Sequence, residues 1–269
     1  MHTMKTANGD ITYYVQGEGE TVVLVMGAGS PGRVWWPYQV PALVDRGYRV
    51  VTMDNRGVGG SGGGTAVAAI SGFVDDLESV LAEVADRPVH LIGTSLGARI
   101  SLGLTLRRPD LVSSLVLLAA HAQPDVVIET YSQAQVELAE SGIELPSNVR
   151  AAFGALANLS PATLNDPLGA DDWLATFQMS PAQLSAGVSS QFAAVTTEYP
   201  ADLSVYSAVT VRTMVIAFAD DRITPPRMGK AVAEAIHGCR FVIIPDAGHV
   251  GYLEQPTAVN DHLVHFLEK

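Results

Sequence analysis

The chain has 269 residues, 48% of them hydrophobic and only 16% charged, which supplies a sizeable core and excludes a disordered, collagen-like or coiled-coil protein. Sixteen Lys and Arg against twenty-eight Asp and Glu leave a formal charge of −12, the wrong sign for gathering nucleic acid or anionic lipid by counterion release, so neither is expected as a partner. The single cysteine, Cys239, excludes an intrachain disulfide, no Cys/His cluster has zinc spacing, and no apolar run approaches the about 18 residues of a membrane span, so the expectation is a soluble cytoplasmic protein without structural metal.

In chain order, the first predicted element is a hairpin. Asn8-Gly9, between β-rich runs at 4–7 and 11–15, suits a two-residue turn whose central positions need positive φ, so the sheet should open with an antiparallel edge. Six further runs, at 21–26, 49–53, 89–92, 114–118, 211–218 and 240–244, are nearly continuously apolar, as strands covered on both faces of a parallel sheet must be. Helical patterns lie between them. Phe73, Leu77, Val80, Leu81 and Val84 recur at helical spacing behind Ser71 as N-cap, and the pattern stops before Pro88. Residues 98–107, 226–236 (closed by Gly238) and 256–267 read as helices too, the last two with Pro near their start.

The strand–helix alternation breaks once, over residues 122–208, where Pro146, Pro161, Pro167, Pro181 and Pro200 separate helical stretches. This segment is expected to form a helical cap (122–208) on a core domain made of residues 1–121 and 209–269. Ten acidic residues there face one base, Arg150, so the segment carries −9 of the total −12.

The chemistry concentrates in Gly93-Thr94-Ser95-Leu96-Gly97, between a strand and a helix. A serine on so sharp a turn is forced into a strained backbone that lifts its hydroxyl clear of the sheet, while flanking glycines admit close backbone. A serine hydroxyl is a weak nucleophile at neutral pH, so it needs a histidine base and an acid to orient that base. Asp220-Asp221 follows the strand at 211–218, and Ala247-Gly248-His249 follows the strand at 240–244. Both lie past carboxyl ends of strands, where open parallel sheets hold ligands. The order Ser95, Asp221, His249 is the Ser–acid–His order of this architecture.

These pieces, with Val25-Met26-Gly27-Ala28-Gly29, Asp54-Asn55-Arg56-Gly57 and Glu254-Gln255-Pro256, resemble the α/β-hydrolase fold family, in particular its cap-bearing bacterial esterases, C–C hydrolases and natural-product tailoring enzymes. The resemblance implies a mostly parallel eight-stranded sheet with an antiparallel N-terminal edge, helices on both faces and a helical cap after the sixth strand. It also implies a Ser95–His249–Asp221 triad, with Asp220 as the alternative acid, and oxyanion donors at the backbone N–H groups of Ala28 and Leu96. Met26-Gly27 stands where the family usually has His-Gly, which leaves the backbone donors in place. No cofactor or metal is implied.

Gly27-x-Gly29-x-x-Gly32 after a strand, with Asp54 ending the next, also matches a dinucleotide fingerprint. Pro31, Trp35, Trp36, Pro37 and Pro41 disrupt the helix that fingerprint requires, so these glycines are read as room for substrate. The run 59–65 lacks a P-loop lysine and reads as a flexible surface loop. Asp54 and Arg56 are expected to form an ion pair or a turn anchor, His90 to be a core or edge residue, and His262 and His265 to share a solvated helix face. Pocket candidates are Trp35, Trp36, His121, Trp173 and Phe177; Phe153, Met179, Phe192, Tyr199 and Tyr206 are assigned mainly to the cap's own core.

The functional expectation is a carboxylic ester hydrolase acting by acyl transfer on a neutral, fairly hydrophobic ester or lactone. C–C cleavage or elimination on natural-product scaffolds, and a non-catalytic ligand binder, are the alternatives. An acidic cap disfavours polyanionic substrates by repulsion at the entrance. Because the base must be neutral, activity should rise with pH through the ordinary imidazole range, about 6.5.

Overall fold

The computed structural model describes residues 1–63, 69–85 and 87–268. Eight strands, β1 (His2–Thr6), β2 (Gly9–Gln16), β3 (Glu20–Val25), β4 (Tyr48–Met53), β5 (Val89–Thr94), β6 (Val112–Leu118), β7 (Arg212–Phe218) and β8 (Arg240–Ile244), form one sheet in the order β1-β2-β4-β3-β5-β6-β7-β8. The pairs β1–β2 and β2–β4 are antiparallel and all others parallel, as expected from the sequence. The hairpin turn itself is displaced by one residue. Thr6 pairs with Gly9, so Ala7 and Asn8 form the loop, and positive φ falls on Gly9 (128°), not on Asn8.

The apolar strands are covered twice. In β3, Val23 and Val25 face a core shared with α2 (Ile70–Val84), α3 (Leu96–Arg107) and α9 (Pro226–Ala235), while Val22 and Leu24 face a second core under α1 (Gln39–Val44) and α11 (Pro256–Leu267). Alternate side chains point to opposite faces, so a strand buried on both sides loses the polar half of its alternation. The first turn of α2 differs from expectation. Ala69 is its N-cap, and Ser71 lies inside, where its N–H and Oγ donate to the Glu198 carboxylate at 2.8 and 3.1 Å.

Between β6 and β7 run α4 (Val126–Ser141), α5 (Ser147–Asn158), α6 (Pro161–Asn165), α7 (Pro167–Gln178) and α8 (Ala186–Val195), with α4 packed on α8 and α5 on α7. Pro161 and Pro167 occupy first turns, where a missing N–H costs nothing. Three contacts seat α8 on the sheet portion. Gly187 meets the backbone of Gly57 so closely that a Cβ on either would collide with the other. Buried Gln191 accepts from the Gly29 N–H and donates to the Arg56 carbonyl, both at 2.7 Å. Buried Arg99 of α3 donates to the Ala194, Val195 and Thr197 carbonyls at the end of α8, where the helix dipole favours a cation, and stacks on Tyr199 at 3.7 Å. Phe153 and Met179, expected inside this segment, are instead exposed, because α5 and α7 pack through other faces.

The run 59–63 is pinned rather than loose. Asp54 accepts from the Gly60 N–H at 2.8 Å, Ser61 Oγ donates to the Asp54 carbonyl at 2.6 Å, and the Gly62 N–H donates to the Asp10 carbonyl at 2.9 Å. Residues 64 and 65 of that run lie outside the described residues.

Candidate active site

Ser95 joins β5 directly to α3 with φ 53° and ψ −116°, a conformation that β-carbon-bearing residues rarely adopt. Its N–H donates to the Leu118 carbonyl of β6 at 3.0 Å, which anchors the turn to the neighbouring strand. The two flanking glycines are required by space. A Cβ on Gly93 would strike the Gly97 backbone, and one on Gly97 would strike the Val25 carbonyl. Gly27 lies against the Ser95 side chain, at 3.3 Å from where its own Cβ would be. Leu96, its side chain buried, opens α3 immediately after the serine, so its N–H belongs to the unpaired first turn of a helix.

His249 follows β8 and meets Asp221 rather than Asp220: its Nδ1 lies 2.9 Å from Asp221 Oδ2. Asp221 is only 3% exposed, and its carboxylate is fully engaged. Oδ1 accepts the Ile223 and Thr224 N–H groups at 2.9 and 2.8 Å, and Oδ2 accepts the Thr224 hydroxyl at 2.6 Å. Such donors hold a carboxylate in one orientation. The histidine loop is held by Glu254 of α10 (Gly251–Glu254), whose Oε2 accepts the Gly248 N–H at 2.6 Å while Oε1 accepts from Ser160 N–H and Thr163 Oγ1 at 2.8 and 2.7 Å.

Ser95, His249, Gly27 and Ala28 line one cavity of about 90 Å³. Of the five pocket candidates, His121 alone is among its lining residues. Trp35 is fully buried in the core under α11, its ring 4.7 Å from that of Tyr252. Trp36 is 38% exposed, packs edge-on against Tyr14 and donates to Thr52 Oγ1 at 3.1 Å. A one-turn 3-10 segment at Gly32–Trp35 sends adjacent tryptophans to opposite sides, one into the core and one to solvent. Trp173 and Phe177 stack on each other at 6.0 Å, with Phe177 filling the space beside Gly154 of α5, so both serve helix packing. The lining residues that the sequence reading missed are chiefly on α4 and α8: Ile128, Tyr131, Ser132 and Val195, with Asn158 of α5. Phe192, assigned mainly to the cap's interior, lines it as well. No motif marks these positions; only the seating of α4 and α8 over Ser95 does.

The competing motifs find structural uses. The Gly32 N–H donates to Asp54 Oδ1 at 2.7 Å, and a Cβ there would collide with the Met53 backbone. Gly29 packs against Val188 and Phe192 of α8. Neither lines the cavity, which Gly27 does, and Asp54 is a turn anchor. Arg56 pairs with Asp76 at 2.6 Å and not with Asp54. His90 is buried with Nδ1 2.8 Å from Ser114 Oγ, and among the described residues no three His, Cys, Asp or Glu cluster as metal ligands. Met26, in place of the usual histidine, presents its sulfur to the buried Tyr252 hydroxyl at 4.0 Å. No helix among the described residues is long and apolar enough to cross a membrane.

A family model described as alpha/beta hydrolase fold matches residues 20–256. A Mycobacterium tuberculosis protein provisionally named non-heme bromoperoxidase BpoC is 38% identical over 96% of this chain and 97% of its own length. Its crystal structure superposes with a TM-score of 0.90 at 36% identity, covering 100% of this chain and 98% of that one. A Rhizobium rhizogenes protein provisionally named carbamate hydrolase RutD is 28% identical over 93% of both chains. The Escherichia coli 2-hydroxy-6-oxononadienedioate/2-hydroxy-6-oxononatrienedioate hydrolase is 27% identical over 94% of this chain and 89% of its own. With the sheet order, the strained serine turn and these matches in agreement, the chain belongs to the α/β-hydrolase fold family.

Proposed function

We propose that the protein is a serine hydrolase acting by acyl transfer on a small, uncharged ester or lactone. The observation that carries this reading is the Asp221–His249 pair opening onto the same cavity as the strained Ser95. In this mechanism His249 takes the Ser95 proton as Oγ attacks the carbonyl carbon, and Asp221 holds the imidazole tautomer whose Nε2 is free to accept. The Ala28 and Leu96 N–H groups meet the developing oxyanion. His249 then returns the proton to the leaving alkoxide, and water activated by the same ring releases the acid.

An uncharged substrate is favoured because, among the described residues, no Lys or Arg lines the cavity to receive a carboxylate, and the helices roofing it belong to a segment of net charge −9. The E. coli relative is named for dicarboxylate compounds; a C–C hydrolase of that kind would need a cation that this cavity wall lacks. The reading is tested with a panel of p-nitrophenyl esters of increasing chain length, followed as a function of pH. Turnover is expected for short acyl chains, and kcat/KM should fall with the slope of one proton as the pH is lowered from the neutral range, because the base must be neutral to accept from serine. His121 adds no second limb, because burial, Arg99 and His249 together pull it down to about 3, so its ring is neutral throughout that range. A rate that does not fall on acidification contradicts the mechanism.

Gln191 is proposed as a positioning residue: it fixes Gly29, the neighbour of the proposed oxyanion donor Ala28. Gln191→Leu leaves the Gly29 N–H and Arg56 carbonyl unpaired, at a cost of about 1–3 kcal/mol each. Expected are a lowered Tm and a kcat reduced about tenfold with KM little changed. A loss confined to Tm, with kcat intact in the folded fraction, removes the positioning role.

A further inference from the structure

His121 is 2% exposed, and neither of its ring nitrogens has a hydrogen-bond partner among the described residues. It lies three residues beyond β6, whose last carbonyl anchors the Ser95 turn, and it lines the cavity together with Ser95 and His249. Its ring is 5.9 Å from that of Tyr199. The Val195 carbonyl approaches the imidazole, but both of its lone pairs are taken, by Arg99 at 2.8 Å and by the Tyr199 hydroxyl at 2.6 Å, and its approach to the ring nitrogens falls outside hydrogen-bond geometry. Leaving a buried donor and acceptor unmatched costs stability, and an apolar side chain of similar size would avoid that cost. A group kept in this state at the wall of a cavity, beside a strained serine, is the arrangement expected where the missing partner arrives with a ligand.

The ring is uncharged at working pH, since burial and the nearby Arg99 and His249 all oppose its protonation. It therefore offers one N–H donor and one lone-pair acceptor. That set matches a hydroxyl or carbonyl oxygen. It does not match a carboxylate, which would lose its water for a single neutral donor, the nearby Arg99 being already committed to the Ala194, Val195 and Thr197 carbonyls. Resting on the serine-hydrolase reading, we propose that His121 is a specificity-determining residue that hydrogen-bonds an uncharged oxygen substituent on the acyl portion of the substrate. The acyl portion is assigned because it stays bonded to the serine while the alcohol must depart toward solvent, and His121 sits at an enclosed wall. Ser132, also 2% exposed, and Tyr131 line the same cavity from α4 and add polar character to it.

The experiment compares kcat/KM for p-nitrophenyl butanoate, its 3-hydroxy and 3-oxo derivatives, and the succinate monoester, in wild type, His121→Leu and His121→Asn. In wild type the hydroxy or oxo ester should exceed butanoate by about tenfold or more, and which of the two leads identifies the oxygen. In His121→Leu that ratio should fall to about one while Tm stays level or rises; in His121→Asn, which keeps a donor and an acceptor, part of the ratio should survive. A ratio near one in wild type, a ratio preserved in His121→Leu, or a preference for the succinate ester overturns the proposal. So does a His121→Leu variant that loses Tm and slows on all four esters alike, since that describes a structural residue. Should Leu fail to fold, the Asn variant and the wild-type ratio still decide. Turnover without an oxygen preference refutes only this proposal; no turnover and no labelling of Ser95 by a fluorophosphonate refutes the hydrolase reading beneath it.

Discussion

Ser95→Ala is expected to lower kcat by at least about 10⁴-fold and to abolish labelling by a fluorophosphonate, with the Tm changed little. The proposed chemistry passes through one oxygen, so removing it leaves only binding and the oxyanion amides, which accelerate hydrolysis far less than the complete set. Stability should survive because Ala and Ser both carry a Cβ and bear the same strain at φ 53°. The turn is held by groups outside the side chain: the bond from the Ser95 N–H to Leu118 and the close approach of Gly93, Gly97 and Val25. Ser95→Gly separates the two quantities further. It should be equally inactive yet more stable by about 1 kcal/mol, since glycine adopts positive φ without strain. An alanine variant that retains turnover and labelling would transfer the chemistry to another residue.

Asp221→Asn should cost about 10⁴-fold in kcat, whereas Asp220→Asn should change it by no more than about threefold. The two acids adjoin in sequence, but Asp220 is half-buried with its N–H donating to the Ala247 carbonyl, while Asp221 alone reaches His249. The Asn amide at 221 is forced into one orientation. Its oxygen must stay where Oδ1 accepts two backbone N–H groups, so its NH₂ points at His249 Nδ1. The imidazole then accepts at Nδ1 and carries its proton on Nε2, the wrong tautomer for taking a proton from serine. Parallel rate measurements on the two variants settle the assignment, and equal losses in both would show that Asp221 is not the orienting acid.

Much of this was legible along the chain because it depends on near neighbours. Continuous apolar runs marked the doubly covered strands, Pro256 marked the start of α11, and glycines two residues either side of Ser95 marked the sharp turn, each a consequence of backbone sterics within a few residues. Even the displaced hairpin kept its glycine at positive φ. The aromatic pocket candidates failed for the opposite reason. Proximity in sequence to the Gly27–Ala28 loop said nothing about which way Trp35 and Trp36 would face, and packing under α11 took the first while solvent took the second. Trp173 and Phe177 likewise found each other before they could find a cavity.

What the amino-acid order determined by itself is the sheet, its antiparallel edge, the serine turn and the chain order of serine, acid and histidine, since strand burial and turn geometry are written in local periodicity and in residues lacking or restricting a side chain. Only the tertiary structure decided which acid reaches His249, which side chains roof the cavity, and that His121 stands there without a partner. The first outcome rests on how the loops after β7 and β8 meet, and the other two on how the helices between β6 and β7 settle through Gly187, Gln191, Arg99 and Glu254, contacts between residues far apart along the chain whose pairing no local pattern encodes.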